Sequence, residues 1–232
     1  MRKIPPREET VKDYPPCSRS VHFVFIPNMQ ADSKAIRVII FDLGGVVFSD
    51  GTPIAVERMK KVVEGYELSP RLIETLFHNE LAVKHRKGLV SEKSFWGEIE
   101  PLLEKKYPLA SLQELQYSSY TPQEGMLELL ASLKGRTTLA VFSVIAEGRL
   151  NYLEKQYHIR SYFDIEAYSF EAHANKHEDV FYEYLIKKLP HEPSACILVD
   201  DHQHTLDKAK GFGFQTILFE DPEKFTRELE KF

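Results

Sequence analysis

The chain has 232 residues, 43% of them hydrophobic, and a formal net charge of -5. That length holds one large α/β domain, or a core domain with a small insert, and the apolar share is that of an ordinary globular protein. The acidic balance argues against a nucleic-acid partner, and no apolar run approaches the ~18 residues that span a bilayer, which argues against a membrane one.

Residues 1–35 are rich in proline and charge and show no sustained period, so they read as a mostly irregular extension. The stretch "VHFVFIP" (21–27) is short and lacks a small-residue cleavage site, so it is not read as a signal peptide. Met29 lies just before the first clear strand and is a candidate natural start. The two cysteines, Cys17 and Cys196, stand far apart and match no metal spacing. They suit a reducing cytosol better than a disulfide framework, and Cys196 reads as a small buried hydrophobe.

From residue 36 the pattern alternates. Apolar runs at 36–41, 138–143, 195–200 and 215–219 read as buried strands, with a weaker one at 162–169. Helical patterns lie between them at 146–157, 178–189 and 204–213, the last closing on Gly211 and Gly213. At 221–232, Asp221 as N-cap, Pro222 in the first turn and Phe225, Leu229 and Phe232 on one face predict a closing helix. Strands alternating with helices imply a parallel sheet covered on both faces. Residues 54–120 carry helical patterns only, one starting at Ser91 after Gly88. A block inserted there cannot lie in the sheet and is expected to form a helical cap above the first strand's carboxyl end. The core is then 36–53 with 121–232.

Ligands of open α/β sheets bind beyond the carboxyl ends of the strands. The first strand ends at Asp42, the second at Ser143, and "ACILVD" runs into Asp200 and Asp201, while Lys176 stands just before the 178–189 helix. Three carboxylates on one rim repel a phosphate dianion unless a cation joins them, and such oxygen-rich ligation suits Mg²⁺. Lys176 and Ser143 have the donors to hold the remaining phosphate oxygens. Gly44 and Gly45 let backbone N–H groups approach closely. An aspartate beside the cation can attack phosphorus. Each residue also has a plainer reading: Asp42 as a turn cap, Ser143 as a turn residue, Lys176 as a solvated loop lysine, Trp96 as cap packing.

The order Asp, Ser, Lys, Asp-Asp, carried by "IIFDLGGVV", "LAVFSV", "ANKHEDVFYEYL" and "ILVDDHQHTLDKAKGFGF", resembles the haloacid dehalogenase-like superfamily of phosphohydrolases over roughly residues 36 to 220. "GLVSEKSFWGEI" (88–99) resembles a cap segment of that family. The resemblance implies a Rossmann-like, doubly wound α/β core with an inserted helical cap. It implies Asp42 as nucleophile, Mg²⁺ held by Asp42, the Gly44 carbonyl, Asp200 and Asp201, and a small phosphorylated metabolite held by Ser143 and Lys176; the sequence itself suggests a monomer or homodimer.

The sequence also departs from that pattern. The second aspartate usual two residues after the nucleophile, which serves as general acid–base, is Gly44. Val144 replaces the usual asparagine, His177 the usual proline, and Thr205 another polar residue, often asparagine. Three readings follow. One is a working phosphatase whose first motif is similar to that of the α-D-glucose-1-phosphate phosphatase group, with His202, His204 or His177 standing in for the missing acid. The second is a metal-independent dehalogenase, which leaves the paired acids at 200–201 unneutralised. The third is a protein that has lost catalysis and binds a phosphorylated ligand or a protein partner.

Overall fold

The computed structural model describes residues 36–62, 69–103 and 107–232. The N-terminal extension, with "VHFVFIP", Met29 and Cys17, lies outside the described residues. Five strands, β1 (Val38–Phe41), β2 (Thr138–Ser143), β3 (Ile165–Tyr168), β4 (Cys196–Asp200) and β5 (Gln215–Leu218), form one parallel sheet in the order β3-β2-β1-β4-β5. All five match the apolar runs. β1 sits at the centre, and its register sets Phe41 beside Val141 on one side and Val199 on the other.

Strand side chains alternate between faces, so each central strand feeds two cores. Ile39, Phe41, Leu139, Val141, Ile197 and Val199 point to one face. They meet helices α6 (Met126–Leu133), α7 (Glu147–Tyr157) and α11 (Pro222–Leu229) there. Val38, Ile40, Ala140, Phe142, Cys196 and Leu198 point to the other face, against α9 (Asp179–Lys188) and α10 (Gln203–Gly211). Cys196 is buried there as a small apolar group. This two-sided burial is why the strands read as unbroken apolar runs. Phe41 also packs edge-on against Phe225 at 5.5 Å. Helix α6 was not expected from the sequence; its Met126, Leu129, Leu130 and Leu133 have helical spacing and are all buried.

Between β1 and α6 run α1 (Gly51–Val62), α2 (Pro70–Phe77), α3 (Glu80–Arg86), α4 (Glu92–Ile99) and α5 (Leu109–Tyr117). Helix α1 begins at Gly51, slightly ahead of the helical block read from residue 54. Ser69 caps α2, and Ser91 caps α4 by accepting the Ser94 N–H at 3.2 Å. Apolar residues of these helices, including Met59, Leu76, Phe95, Trp96, Ile99 and Leu112, form a third cluster separate from the two sheet cores. Trp96 belongs to that packing. A four-residue helix, α8 (Ser169–Ala172), follows β3 and meets the cap: Ser169 Oγ donates to the Arg86 carbonyl at 2.6 Å. None of the described helices is long and apolar enough to cross a membrane.

Candidate active site

β1 ends where its ladder delivers Asp42: the Asp42 N–H still donates to the Val199 carbonyl at 3.0 Å, and the chain then turns. Asp42 Oδ1 accepts the Leu43 N–H at 2.7 Å, and Oδ2 faces Lys176 Nζ at 2.7 Å. The turn closes on itself, with Gly45 N–H donating to the Phe48 carbonyl and Phe48 N–H to the Leu43 carbonyl, both at 2.7 Å. The Gly45 N–H is therefore taken up within the loop, and what Gly45 brings to the site is room. Its φ of +82° is left-handed, and a Cβ there would lie 2.1 Å from Asp201 Oδ2. Gly44 differs: a Cβ would meet only Tyr120 Cε1, at an ordinary 3.8 Å.

Lys176 stands in the loop before α9 and reaches inward to bridge two carboxylates, with Nζ 2.7 Å from both Asp42 Oδ2 and Asp200 Oδ2. Asp200 has no exposed surface, and its second oxygen accepts the His202 N–H at 2.8 Å. Burial favours the neutral form of Lys176, but the Asp42 and Asp200 charges outweigh it and hold the ammonium above its ordinary pKa. Burial pushes the Asp42 carboxyl up to about 6; Lys176 works against this shift, Asp200 adds to it, and the Ser143 hydroxyl opposes it by hydrogen bonding. An ammonium has three donors, so with two on carboxylates one remains for a ligand.

Asp201 and His202 form the outer edge, with His202 Nδ1 2.7 Å from Asp201 Oδ1. Ligand atoms of Asp200, Asp201 and His202 lie within 4.8 Å of one another. Asp42 and Asp200 share a single ammonium and Asp201 adjoins Asp200, so the carboxylate oxygens with the Gly44 carbonyl are a hard donor set. These residues fit Mg²⁺.

A cavity of about 350 Å³ opens over this rim. Of the sequence-predicted residues, Asp42, Gly44, Ser143 and Asp201 line it; Gly45, Lys176 and Asp200 support those from behind. Val144 lines it too, where the asparagine was expected. Of the three histidines considered as acid–base groups, His202 lines the cavity; His177 and His204 are exposed and do not. Thr205 is buried, and its carbonyl accepts the Tyr182 hydroxyl at 3.1 Å. Sequence reasoning missed His78, Arg86, Tyr120 and Arg149, which also line the cavity. Their signal was faint, because single polar residues on helices and in loops read as solvated until tertiary packing turns them inward.

The chain is 36% identical over 168 residues to an uncharacterized protein of Dictyostelium discoideum, a match spanning 70% of this chain and 71% of that one. Its fold is similar to that of a HAD family enzyme from Bacteroides thetaiotaomicron, with a TM-score of 0.73, 18% identity and coverage of 84% and 98% of the two chains. The same enzyme solved with magnesium and inorganic phosphate aligns at a TM-score of 0.69, with 18% identity and coverage of 82% and 99%. L-2-haloacid dehalogenase from Xanthobacter autotrophicus aligns at 0.57, with 18% identity and coverage of 84% and 83%. The family pattern described as haloacid dehalogenase-like hydrolase matches residues 39–219, and the chain belongs to that family.

Proposed function

We propose that this hydrolase is an Mg²⁺-dependent phosphatase of a small phosphorylated metabolite. The observation that carries the reading is Lys176 set between Asp42 and Asp200, with Asp201 next in chain, beneath a cavity that Asp42 and Asp201 line. Asp42, Asp200, Asp201 and the Gly44 carbonyl are the residues that would hold the cation. Bound there, Mg²⁺ supplies the charge neutralisation that lets a phosphate dianion approach carboxylates. Lys176 and Ser143 position the phosphate oxygens. A carboxylate oxygen of Asp42 attacks phosphorus and the bond to the leaving oxygen breaks, giving an aspartyl phosphate. Water then hydrolyses that acyl phosphate, releasing inorganic phosphate and restoring the carboxylate. The similar fold of a HAD family enzyme solved with magnesium and inorganic phosphate supports this reading.

A second reading is displacement of halide from a haloacid by the same Asp42. The glycine at 44 favours it, since that route needs no proton donor at this position. It leaves Asp200 and Asp201 adjoining, however, with Lys176 alone against three carboxylates. We place the enzyme in the cytosol on the strength of its cysteine usage, and as a monomer or homodimer. The test is a screen of sugar, nucleotide and carboxylate phosphates with Mg²⁺, run beside a set of haloacids. Phosphate release that Asp42→Asn lowers by about 10⁴-fold or more is the expected result. Halide release without phosphate release would establish the second reading, and neither release with ligand binding intact would show that catalysis has been lost.

A further inference from the structure

The cavity that receives Asp42 also receives two arginines: Arg86, from the end of α3, and Arg149, from the first turn of α7. Arg149 is only 7% exposed. Its guanidinium carbon lies over the Tyr120 ring, 4.0 Å from the centroid, and its buried Nε has no hydrogen-bond partner. Arg86 spends one NH1 bond on the Phe77 carbonyl at 3.0 Å. Among the described residues no carboxylate pairs with either arginine. They are close enough that burial and the Arg149 charge together depress the Arg86 guanidinium below its ordinary value. Carboxylates of Asp42, Asp50 and Asp201 line the same cavity, but neither arginine is bonded to one, so both keep donors for an incoming anion.

Lys176, Ser143 and the proposed cation give the transferred phosphate its contacts at the strand ends, whereas the arginines reach the cavity from α3 and α7. Tyr120 connects the two regions. Its ring contacts Arg149 on its face and borders the space beside Gly44, while its hydroxyl is 3.0 Å from Thr52 Oγ1. Arg149 thus lines the cavity against the face of Tyr120, with Tyr120 itself beside Gly44. The guanidinium fork matches carboxylate or phosphate oxygens in pairs. We infer that the substrate carries a second oxyanion, remote from the transferred phosphate and held by Arg149 with Arg86. This rests on the phosphatase reading and narrows it to phosphorylated acids or bisphosphates.

Two matched pairs test it: 3-phosphoglycerate against glycerol 3-phosphate, and fructose 1,6-bisphosphate against fructose 6-phosphate. Binding is measured by calorimetry with Mg²⁺ on the full chain carrying Asp42→Asn, with turnover by the wild type followed separately. The doubly anionic member of at least one pair is expected to bind about 10- to 100-fold more tightly, the range for a charge-assisted contact. Which pair responds tells a carboxylate from a second phosphate. Adding Arg149→Met is expected to bring the ratio close to one, and Arg149→Lys to keep part of it. Arg86→Met, at a less buried position, gives the same readout if Arg149→Met does not fold. Ratios near one for both pairs in the parent protein, or a ratio that neither arginine substitution alters, would overturn the inference. Absence of wild-type turnover would overturn the phosphatase reading and leave the binding ratio to decide this one.

Discussion

Asp42 is mostly buried, Lys176 and Ser143 offset part of the cost of burying its charge, and the two glycines after it do different work. At Gly45 the left-handed backbone and the crowding of Asp201 exclude any side chain. Gly45→Ala is expected to cost about 1–3 kcal/mol of stability and to displace Asp201, weakening Mg²⁺ binding. Urea unfolding and a metal titration check the two effects separately. At Gly44 there is room, so the missing acid is a chemical gap without a steric cause. Gly44→Asp is expected to raise turnover toward the ~10²-fold that a general acid–base contributes at the low end, measured with whichever phosphate the screen identifies. No gain with the fold intact would place the limit elsewhere in the site, for example at Val144. Asp42, Ser143, Lys176 and Asp200–Asp201 were legible because each follows an apolar run or precedes a helix. Arg149 was not, since the first turn of a surface-patterned helix reveals nothing about the cavity beside it. Nor could the sequence show that Gly45 contributes space while its N–H serves the loop.

One carboxylate ties the inserted helices to one another and to α7. Glu92, at the start of α4, bonds to His85 Nε2 and Trp96 Nε1 at 2.8 Å each, to the Tyr117 hydroxyl at 3.0 Å, and to Gly148 N–H of α7 at 2.8 Å. Burial alone would raise the Glu92 carboxyl, but the His85 contact, then the Gly148 and Trp96 donors, hold it down at about 2. A depressed carboxyl stabilises the fold fully above its unfolded value of 4.5 and loses that contribution as pH falls toward about 2. Glu92→Gln is therefore expected to cost about 1–3 kcal/mol at neutral pH. Its gap from the wild type should close between pH 4.5 and about 2, as read from denaturant midpoints across that range. A gap independent of pH would mean that the lost contacts are steric. Gly148 belongs to this joint, since a Cβ there would lie 2.4 Å from the Glu92 carboxylate. Ser91 was readable as the start of α4, but the role of its neighbour Glu92 was not, because the four groups that meet it come from separate elements.

Across the whole molecule, the alternation of apolar runs and helical patterns was enough to read a parallel sheet with a helical insertion. The strand order was beyond the sequence, since placing β1 between β2 and β4 depends on pairing between segments far apart in the chain. Helix α6 escaped for a local reason: its apolar residues lie in the segment between the inserted block and β2, to which no helical pattern was assigned. The central placement of β1 brings Asp42 within reach of the ends of β2 and β4, so Ser143 and Asp200 converge on it. The proposed chemistry follows from that convergence, and its most direct measurement is acid-quenched mass spectrometry of the protein during turnover of a phosphate substrate with Mg²⁺. A phosphoryl group on the peptide bearing Asp42 is expected, accumulating because no acid–base group stands at residue 44, and lost in Asp42→Asn. Measurable phosphate release that persists in Asp42→Asn, with no phosphoryl group on Asp42 at any time point in the wild type, would contradict it.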